Sequence, residues 1–377
     1  MDKQGLTTIE LKKINKGKVY HYIYKERLTS KMRIVTDLQM GLSTVSHNLA
    51  ILEQEGLIER NGFFDSTGGR KAHAIRIVPD VRISIGIGIL KDRIHLASVD
   101  LYGKAVCMDT VSLSYSNTES YYRKAAESIE RFIDGQHYKK EKILGVSIAA
   151  QGIISPDGSS VTYGAIMGNT DMKLTDFSAR LPYPCRLEHD SKAAAYLEHW
   201  NHETLDSAIV LLLNQNLGGA IITNHQVHQG LTMHSGTVEH ICVNPDGALC
   251  YCGNHGCLET CCSANALEAA AGMPAGEFFP LLREGKNPEL SQIWDTYLKY
   301  LAFAMRNLNM VIDSPIIISG YLAPYLIEKD IDFLIKEINQ SAPFAFKKEH
   351  ITVGTHGQYT PAVGAALFYI DHFIQSV

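Results

Sequence analysis

Residues 236–262 read GTVEHICVNPDGALCYCGNHGCLETCC. Cys250 and Cys252 are separated by one residue, Cys257 follows five later, and Gly247, Gly253 and Gly256 supply the tight turns that wrapping a chain around a cation demands. His240, ten residues before Cys250, completes a set of three thiolates and one imidazole. That donor set suits a closed tetrahedral site of the structural zinc type, with no open position at which water is activated. His234, His255, Cys261 and Cys262 are the other side chains that can take the fourth position. Packing alone is a poor account of cysteines 250, 252, 257 and 261 within twelve residues punctuated by glycine, and nothing in the sequence favours disulfides.

The rest of the 377 residues is ordinary for a folded protein, 45% hydrophobic and 20% charged, and long enough for roughly two or three domains. Disorder is excluded by that composition. No run of about 18 apolar residues is present, and the opening MDKQGLTTIELKK lacks the apolar core of a signal peptide, so a cytoplasmic protein with no membrane partner is expected. The net charge of −5 conceals an asymmetry: residues 1–78 hold 13 Lys+Arg against 8 Asp+Glu, and the remainder 22 against 32. A basic head on an acidic body points to a polyanion partner for the head.

The head has the pattern of a DNA reader. Leu11, Ile14, Val19, Tyr22 and Ile23 recur at helical spacing and predict a helix over 11–25, with a short second helix over 31–39. Gly41 then breaks the pattern, and Ser43 is expected to cap a third helix whose Val45, Leu49 and Leu52 face inward. Helix, turn, helix is the spacing of a helix-turn-helix, and the N-terminal end of the third helix would enter the major groove. Ser43, Thr44, Ser46, His47 and Asn48 are therefore candidate DNA contacts. Strand, turn, strand follows, with Gly68-Gly69-Arg70-Lys71 at the tip, which reads as a wing; Arg70 and Lys71 are candidates for phosphate or minor-groove contact. Residues 1–78 are thus expected to form a winged helix-turn-helix.

Beyond Pro79-Asp80, strands are expected from 81, over 93–99 and over 105–113, then a helix over 119–134 and a strand over 143–149. Strands and helices alternate again after 190. The body is expected to be α/β with two lobes and a cleft between them.

The chain resembles the ROK family (repressors, open reading frames and sugar kinases), in particular its repressors with an N-terminal winged helix-turn-helix. The match runs over nearly the whole chain, and its most specific piece is Cys250-Tyr-Cys-Gly-Asn-His-Gly-Cys-Leu-Glu259, the family's Cys-x-Cys-Gly-x-x-Gly-Cys-x-Glu signature, with His240 at the histidine that precedes it. The resemblance implies a ribonuclease-H-like, actin-type body with a sugar cleft shaped by zinc. Residues 79–197 would be the first lobe, 361–377 a helix returning to it, and 198–360 the second lobe with the zinc site and a dimerisation surface.

The family's kinases hold ATP on an Asp-x-Gly-Gly-Thr turn and a Gly-Thr-Gly turn. Those positions fall here on Gly88-Ile89-Leu90-Lys91-Asp92 and on Asn214-Gln215-Asn216, so both phosphate turns are degenerate and no enzyme activity is expected. The sugar side departs less. The family's Asn-Asp pair reads His189-Asp190, Glu259 matches the signature glutamate that accepts sugar hydroxyls, and His240 can offer one ring nitrogen to a hydroxyl and the other to zinc. In the Gly-Glu-x-Gly-His stretch the glutamate falls on Thr237, with Glu239 where glycine is expected; Asn169 is a further candidate. The resemblance implies a repressor of carbohydrate genes that binds operator DNA as a homodimer or tetramer and senses a monosaccharide or its phosphate.

Overall fold

The computed structural model describes residues 7–64, 72–202 and 204–377. Helix α1 (Thr8–Glu26) is started by a reciprocal capping box, in which the Glu10 amide donates to Thr7 Oγ1 and the Thr7 amide donates to the Glu10 carboxylate at 2.7 Å. Ser30 caps α2 (Lys31–Asp37), and a tight turn leads into α3 (Leu42–Gln54). The turn differs from expectation. Gly41 itself is the N-cap of α3, with no side-chain cap bond, and the left-handed residue is Gln39 at φ 52°. Backbone bonds from Gln39 N to Thr36 O and from Met40 N to Val35 O satisfy the end of α2, so Ser43 is left inside the first turn of α3 with nothing to cap. Strands β1 (Ile58–Phe63) and β2 (His73–Ile77) form an antiparallel hairpin, to which Thr29 adds a bridge at Ile75. Arg70 and Lys71 lie outside the described residues.

The first sheet is built from β3 (Ile83–Ile89), β4 (Arg93–Asp100) and β5 (Ala105–Ser112), then α4 (Glu119–Gly135) and β6 (Ile143–Ala150). A small hairpin, β7 (Ile153–Ile154) and β8 (Val161–Tyr163), and the short α5 (Thr175–Ser178) precede β9 (Cys185–His189) and α6 (Asp190–Asn201). The second sheet comes from β10 (Ala208–Leu213), β11 (Leu217–Thr223) and β12 (Gln226–Val227). After them come α7 (Glu259–Cys262), α8 (Ala264–Ala271), α9 (Ala275–Glu284) and α10 (Pro288–Val311), then β13 (Ile316–Ser319), α11 (Glu328–Asn339), β14 (Ile351–Val353) and α12 (Thr360–Ser376).

Strand order is β5-β4-β3-β6-β9 in one sheet and β12-β11-β10-β13-β14 in the other. Each sheet therefore runs third, second, first, fourth, fifth in chain order, antiparallel on one side and parallel on the other. The central strands β3 and β10 are buried along their whole length, as expected of near-continuous apolar runs covered on both faces.

The helix that follows each sheet crosses to the other: α6 packs on β10 and β11, α12 packs on β3, β4 and β6, and the two helices lie against each other. Glycine makes that contact close. A Cβ on Gly364 would sit 1.9 Å from the Ala193 carbonyl oxygen, and one on Gly86 would sit 1.8 Å from that of Ala362. The end of α12 continues into the head: Ile370, Ile374 and Val377 share one core with Val19, Tyr20, Ile23 and Ile77, together with Leu101 of the β4–β5 turn. Among the described residues no helix is long and apolar enough to cross a membrane.

Candidate functional site

A cavity of about 310 Å³ opens between the two sheets, at the lower end of the range for small-molecule sites. One wall is the residues just past β6, the β8 end and the N-terminus of α6; the other is β11, the single 3-10 turn Val238–His240 and Tyr251-Cys252. His189, Asp190, Thr237 and His240 line it together. His189 is the N-cap of α6, and Asp190 accepts from the Ser191 amide at 2.7 Å and the Ser191 hydroxyl at 3.1 Å, both through Oδ1. That geometry holds the carboxyl rigidly at the cavity wall. A Cβ on Gly218 would fall 2.1 Å from Ser191 Oγ, so β11 lies close against the start of α6 at this glycine.

The structure does not bring Asn169 and Glu259 to the cavity wall. Asn169 is fully buried behind it, donating to the Gln151 carbonyl at 2.8 Å. Glu259 accepts from Asn216 Nδ2 at 2.7 Å and from the Leu217 amide at 2.6 Å, so it fixes the start of β11 and orients Asn216, which does line the cavity. Glu239, Gln151, Asn216 and Tyr251 are wall residues that motif reading passed over as ligands. For Glu239 the signal existed, a carboxylate standing at the glycine of the Gly-Glu-x-Gly-His stretch. Burial raises the Asp190 pKa and lowers that of His189. Burial, helped by the nearby Asp190 and Glu259 charges, pushes Glu239 up to about 8.

Beside the cavity, one ligand atom each from His240, Cys250, Cys252 and Cys257 lies within 4.8 Å of all the others. Cys252 Sγ is 3.6 Å from Cys257 Sγ, and Cys250 Sγ is 3.8 Å from His240 Nδ1. Zinc–sulfur bonds of about 2.3 Å in a tetrahedron separate sulfurs by about 3.8 Å, so the four residues fit a metal ion. His240 turns Nδ1 to the sulfurs, and its Nε2 stands 4.0 Å from Glu239 Oε1. The alternatives are engaged elsewhere: His255 Nδ1 pairs with the Gly247 carbonyl at 2.9 Å, His234 Nδ1 with Thr232 Oγ1 at 2.8 Å, and Cys262 Sγ with the Tyr297 carbonyl at 3.6 Å. Cys261 pairs with the hydroxyl of Thr260 at 3.8 Å.

Where the two degenerate phosphate turns face each other the space is small. Leu90, Arg93 and His95 from the first sheet and Asn214, Gln215 and Tyr321 from the second enclose about 40 Å³, the room of roughly one water. Asn214 Oδ1 accepts from the Tyr321 amide at 2.8 Å, and Arg93 is paired with Asp92 at 2.6 Å.

On the head, Ser43 and His47 are exposed at the N-terminal end of α3, and Thr44 and Ser46 are half-buried. Ser46 Oγ donates back to the Leu42 carbonyl at 2.7 Å. Asn48 departs from expectation. At 3% exposure it belongs to the buried face with Val45, Leu49 and Leu52, because it lies three residues after Val45 and four before Leu52.

Comparison with known proteins places this architecture. The chain is 28% identical over 264 residues to the DNA-binding transcriptional dual regulator NagC of Escherichia coli K12, covering 68% of this chain and 64% of that protein. It is 27% identical over 261 residues to the xylose repressor of Caldicellulosiruptor bescii, covering 68% and 65%. The chain thus spans slightly under two thirds of these relatives. Among solved structures, a ROK family transcriptional regulator described as a homologue of the E. coli MLC protein superposes with a TM-score of 0.71 over 97% of both chains at 17% identity. A ROK family glucokinase from Streptomyces griseus superposes at 0.65 over 76% of this chain and 98% of its own, at 21% identity. The body therefore has the two-lobed, actin-like fold of these sugar kinases. The sequence profile of the ROK family matches residues 83–372, and the chain belongs to that family.

Proposed function

We propose that this chain is a sugar-responsive, DNA-binding transcriptional repressor of carbohydrate genes. The observation that carries the reading is the core shared between the head and α12, because α12 in turn packs along the helix that begins at Asp190. Binding at the cavity is thereby tied mechanically to the orientation of the head. The names of the relatives, a transcriptional regulator and a xylose repressor, support the same reading.

In this scheme residues 1–78 act as a winged helix-turn-helix. Ser43, Thr44, Ser46 and His47 on α3 face the major groove, with Arg70 and Lys71 of the wing on phosphate or minor groove. Residues 79–197 and 198–360 are the lobes, and two copies would set two heads on a pseudo-palindromic site. Asp190, His189, Thr237 and His240 receive a monosaccharide or its phosphate. Zinc, held by His240, Cys250, Cys252 and Cys257, would act as scaffold, fixing the Val238–His240 turn that forms one cavity wall. No reaction is expected, since both phosphate turns are degenerate and their side chains are engaged with neighbouring groups, Asn214 Oδ1 by the Tyr321 amide and Asp92 by Arg93.

The test is fluorescence anisotropy with DNA selected from a random pool, repeated with each member of a panel of sugars and sugar phosphates. Binding that falls steeply with salt and shifts with one sugar supports the reading; salt-independent binding, or indifference to all sugars, removes it. A second reading, a sugar kinase with a DNA-binding head, draws on Asp190 standing at the cavity as a proton acceptor would. ATP consumption with any sugar of the same panel would establish it.

A further inference from the structure

Glu239 enters the cavity from the turn before the metal cluster, and it is 8% exposed. Its Oε2 is buried and meets no hydrogen-bond partner among the described residues. Asp190 shares the cavity. No lysine or arginine among the described residues lines the space. The nearest lysine in sequence to Asp190, Lys192, is turned away and donates to Gln229 Oε1 at 2.6 Å and to the Met233 carbonyl at 3.0 Å. Compared with the Gly-Glu-x-Gly-His stretch, this chain has moved its carboxylate two residues along, from the place of Thr237 to Glu239.

A ligand's donors can satisfy the unpaired carboxyl oxygen in this buried, acid-rich space. A phosphate brings acceptors and a charge of about −1.5 to −2 at pH 7, and the cavity sets Asp190 and Glu239 against that charge with no lysine or arginine among the described residues to offset it. A hydroxyl brings one donor. An ammonium brings three donors and the opposite charge. We propose that the cavity selects an unphosphorylated amino sugar, with Glu239 as the specificity residue that, together with Asp190, receives the ammonium group. The proposal rests on the sugar-sensing reading and narrows its ligand class.

Titration calorimetry of the full chain with glucosamine, galactosamine and mannosamine, beside glucose, N-acetylglucosamine and glucosamine 6-phosphate, tests it. One of the three free amino sugars should bind at least tenfold more tightly than any acetylated, neutral or phosphorylated member. Glu239→Gln should bring that ratio close to one, and a melting curve of the variant reports whether it folds. A neutral sugar or a sugar phosphate binding as tightly as the best amino sugar overturns the proposal while leaving sugar sensing standing. Failure of every sugar to bind overturns both. A preference unchanged in folded Glu239→Gln removes Glu239 from the role; should that variant not fold, the wild-type ratios alone decide.

Discussion

The indole Nε1 of Trp200 donates to the backbone carbonyl of Tyr102 at 3.2 Å, near the far end of the helix that begins at Asp190. The Tyr102 ring in turn carries the Arg27 guanidinium 3.9 Å from its centroid, and Tyr24 of α1 donates its hydroxyl to the neighbouring Leu101 carbonyl at 3.0 Å. A rigid rod of twelve residues, about 18 Å long, thus runs from the cavity to the base of the head. Gly103, at φ 80°, makes the contact possible, since a Cβ there would sit 2.4 Å from the indole nitrogen.

Trp200→Phe keeps an aromatic ring in place and removes the donor. Sugar affinity should stay within about twofold, while the change in operator affinity produced by the sugar should shrink by about fivefold if this bond transmits ~1 kcal/mol. Calorimetry for the sugar and anisotropy for DNA separate the two effects. A full sugar response in the variant would rule out this route.

Cys252→Ser should remove the metal and lower the melting temperature together. Burial raises the pKa of Cys250 and Cys257, so a metal ion must displace their protons and its binding energy becomes folding energy. Elemental analysis of protein purified without chelator should find zinc in the wild type and none in the variant. A wild-type melting curve for Cys252→Ser contradicts the scaffold role.

Much of this was legible in the sequence, for stateable reasons. Strands β3 and β10 are long apolar runs that have one good interpretation, and the cysteine spacing fixes a local geometry that needs no long-range contact. The positions that departed are those decided by packing between distant segments. Asn48 looked like a base reader by residue type, yet helical phase puts it with Val45 and Leu52. Glu259 belongs to the signature, yet its partners are Asn216 and Leu217, more than forty residues earlier. The left-handed residue of the α2–α3 turn is Gln39, and Gly41, which breaks the helical pattern in the sequence, is the N-cap of α3. Nor does local sequence show that Ile370 and Ile374 complete the core of a head some three hundred residues away.

Adjacent residues of α3 should behave oppositely. His47→Ala, on the exposed face, should weaken DNA binding about tenfold, ~1.4 kcal/mol, without moving the melting temperature. Asn48→Ala, on the buried face, should destabilise by about 1–2 kcal/mol and affect DNA only through lost fold. Denaturant melts beside anisotropy distinguish them; a DNA defect in a fully stable Asn48→Ala would return that residue to the interface.

His95 should give the chain a specific acid sensitivity. It is 3% exposed, and burial pushes its pKa down to about 4; the Gln358 carbonyl, 3.0 Å from Nδ1, and Asp92 oppose the shift, and Arg93 adds to it. The unfolded chain protonates near 6.5 and the folded one only near 4, so stability is full above about 6.5 and falls as pH drops through that window. The loss should be on the order of 1–3 kcal/mol. Urea midpoints from pH 7.5 to 4.5 should fall less steeply for His95→Gln than for the wild type; parallel slopes would mean that His95 takes up its proton alike in the folded and unfolded chain.

The last prediction concerns Asp190, whose carboxyl stands at the cavity wall while its Oδ1 is engaged by Ser191. A charged acceptor bonded to a sugar hydroxyl or ammonium contributes roughly 1.5–3 kcal/mol, so Asp190→Asn should weaken the sugar about tenfold to a hundredfold. Operator binding without sugar should survive, because the head and the far end of α6 are untouched. The expected phenotype is a protein that binds operator without sugar and whose operator affinity no longer responds at sugar concentrations that shift the wild type. If Asp190 served only the start of α6, asparagine would keep the bond to the Ser191 amide and lose only the charge at the helix N-terminus, about 0.3–1 kcal/mol of stability, with the sugar response intact. His189, not Asp190, is the N-cap of α6, and its Nδ1 also accepts from the Ser191 amide, at 3.2 Å, so the first turn keeps a side-chain partner when Asp190 is changed. Anisotropy across a sugar titration, with a melting curve of the same preparation, separates a deaf but stable variant from a responsive but weakened one.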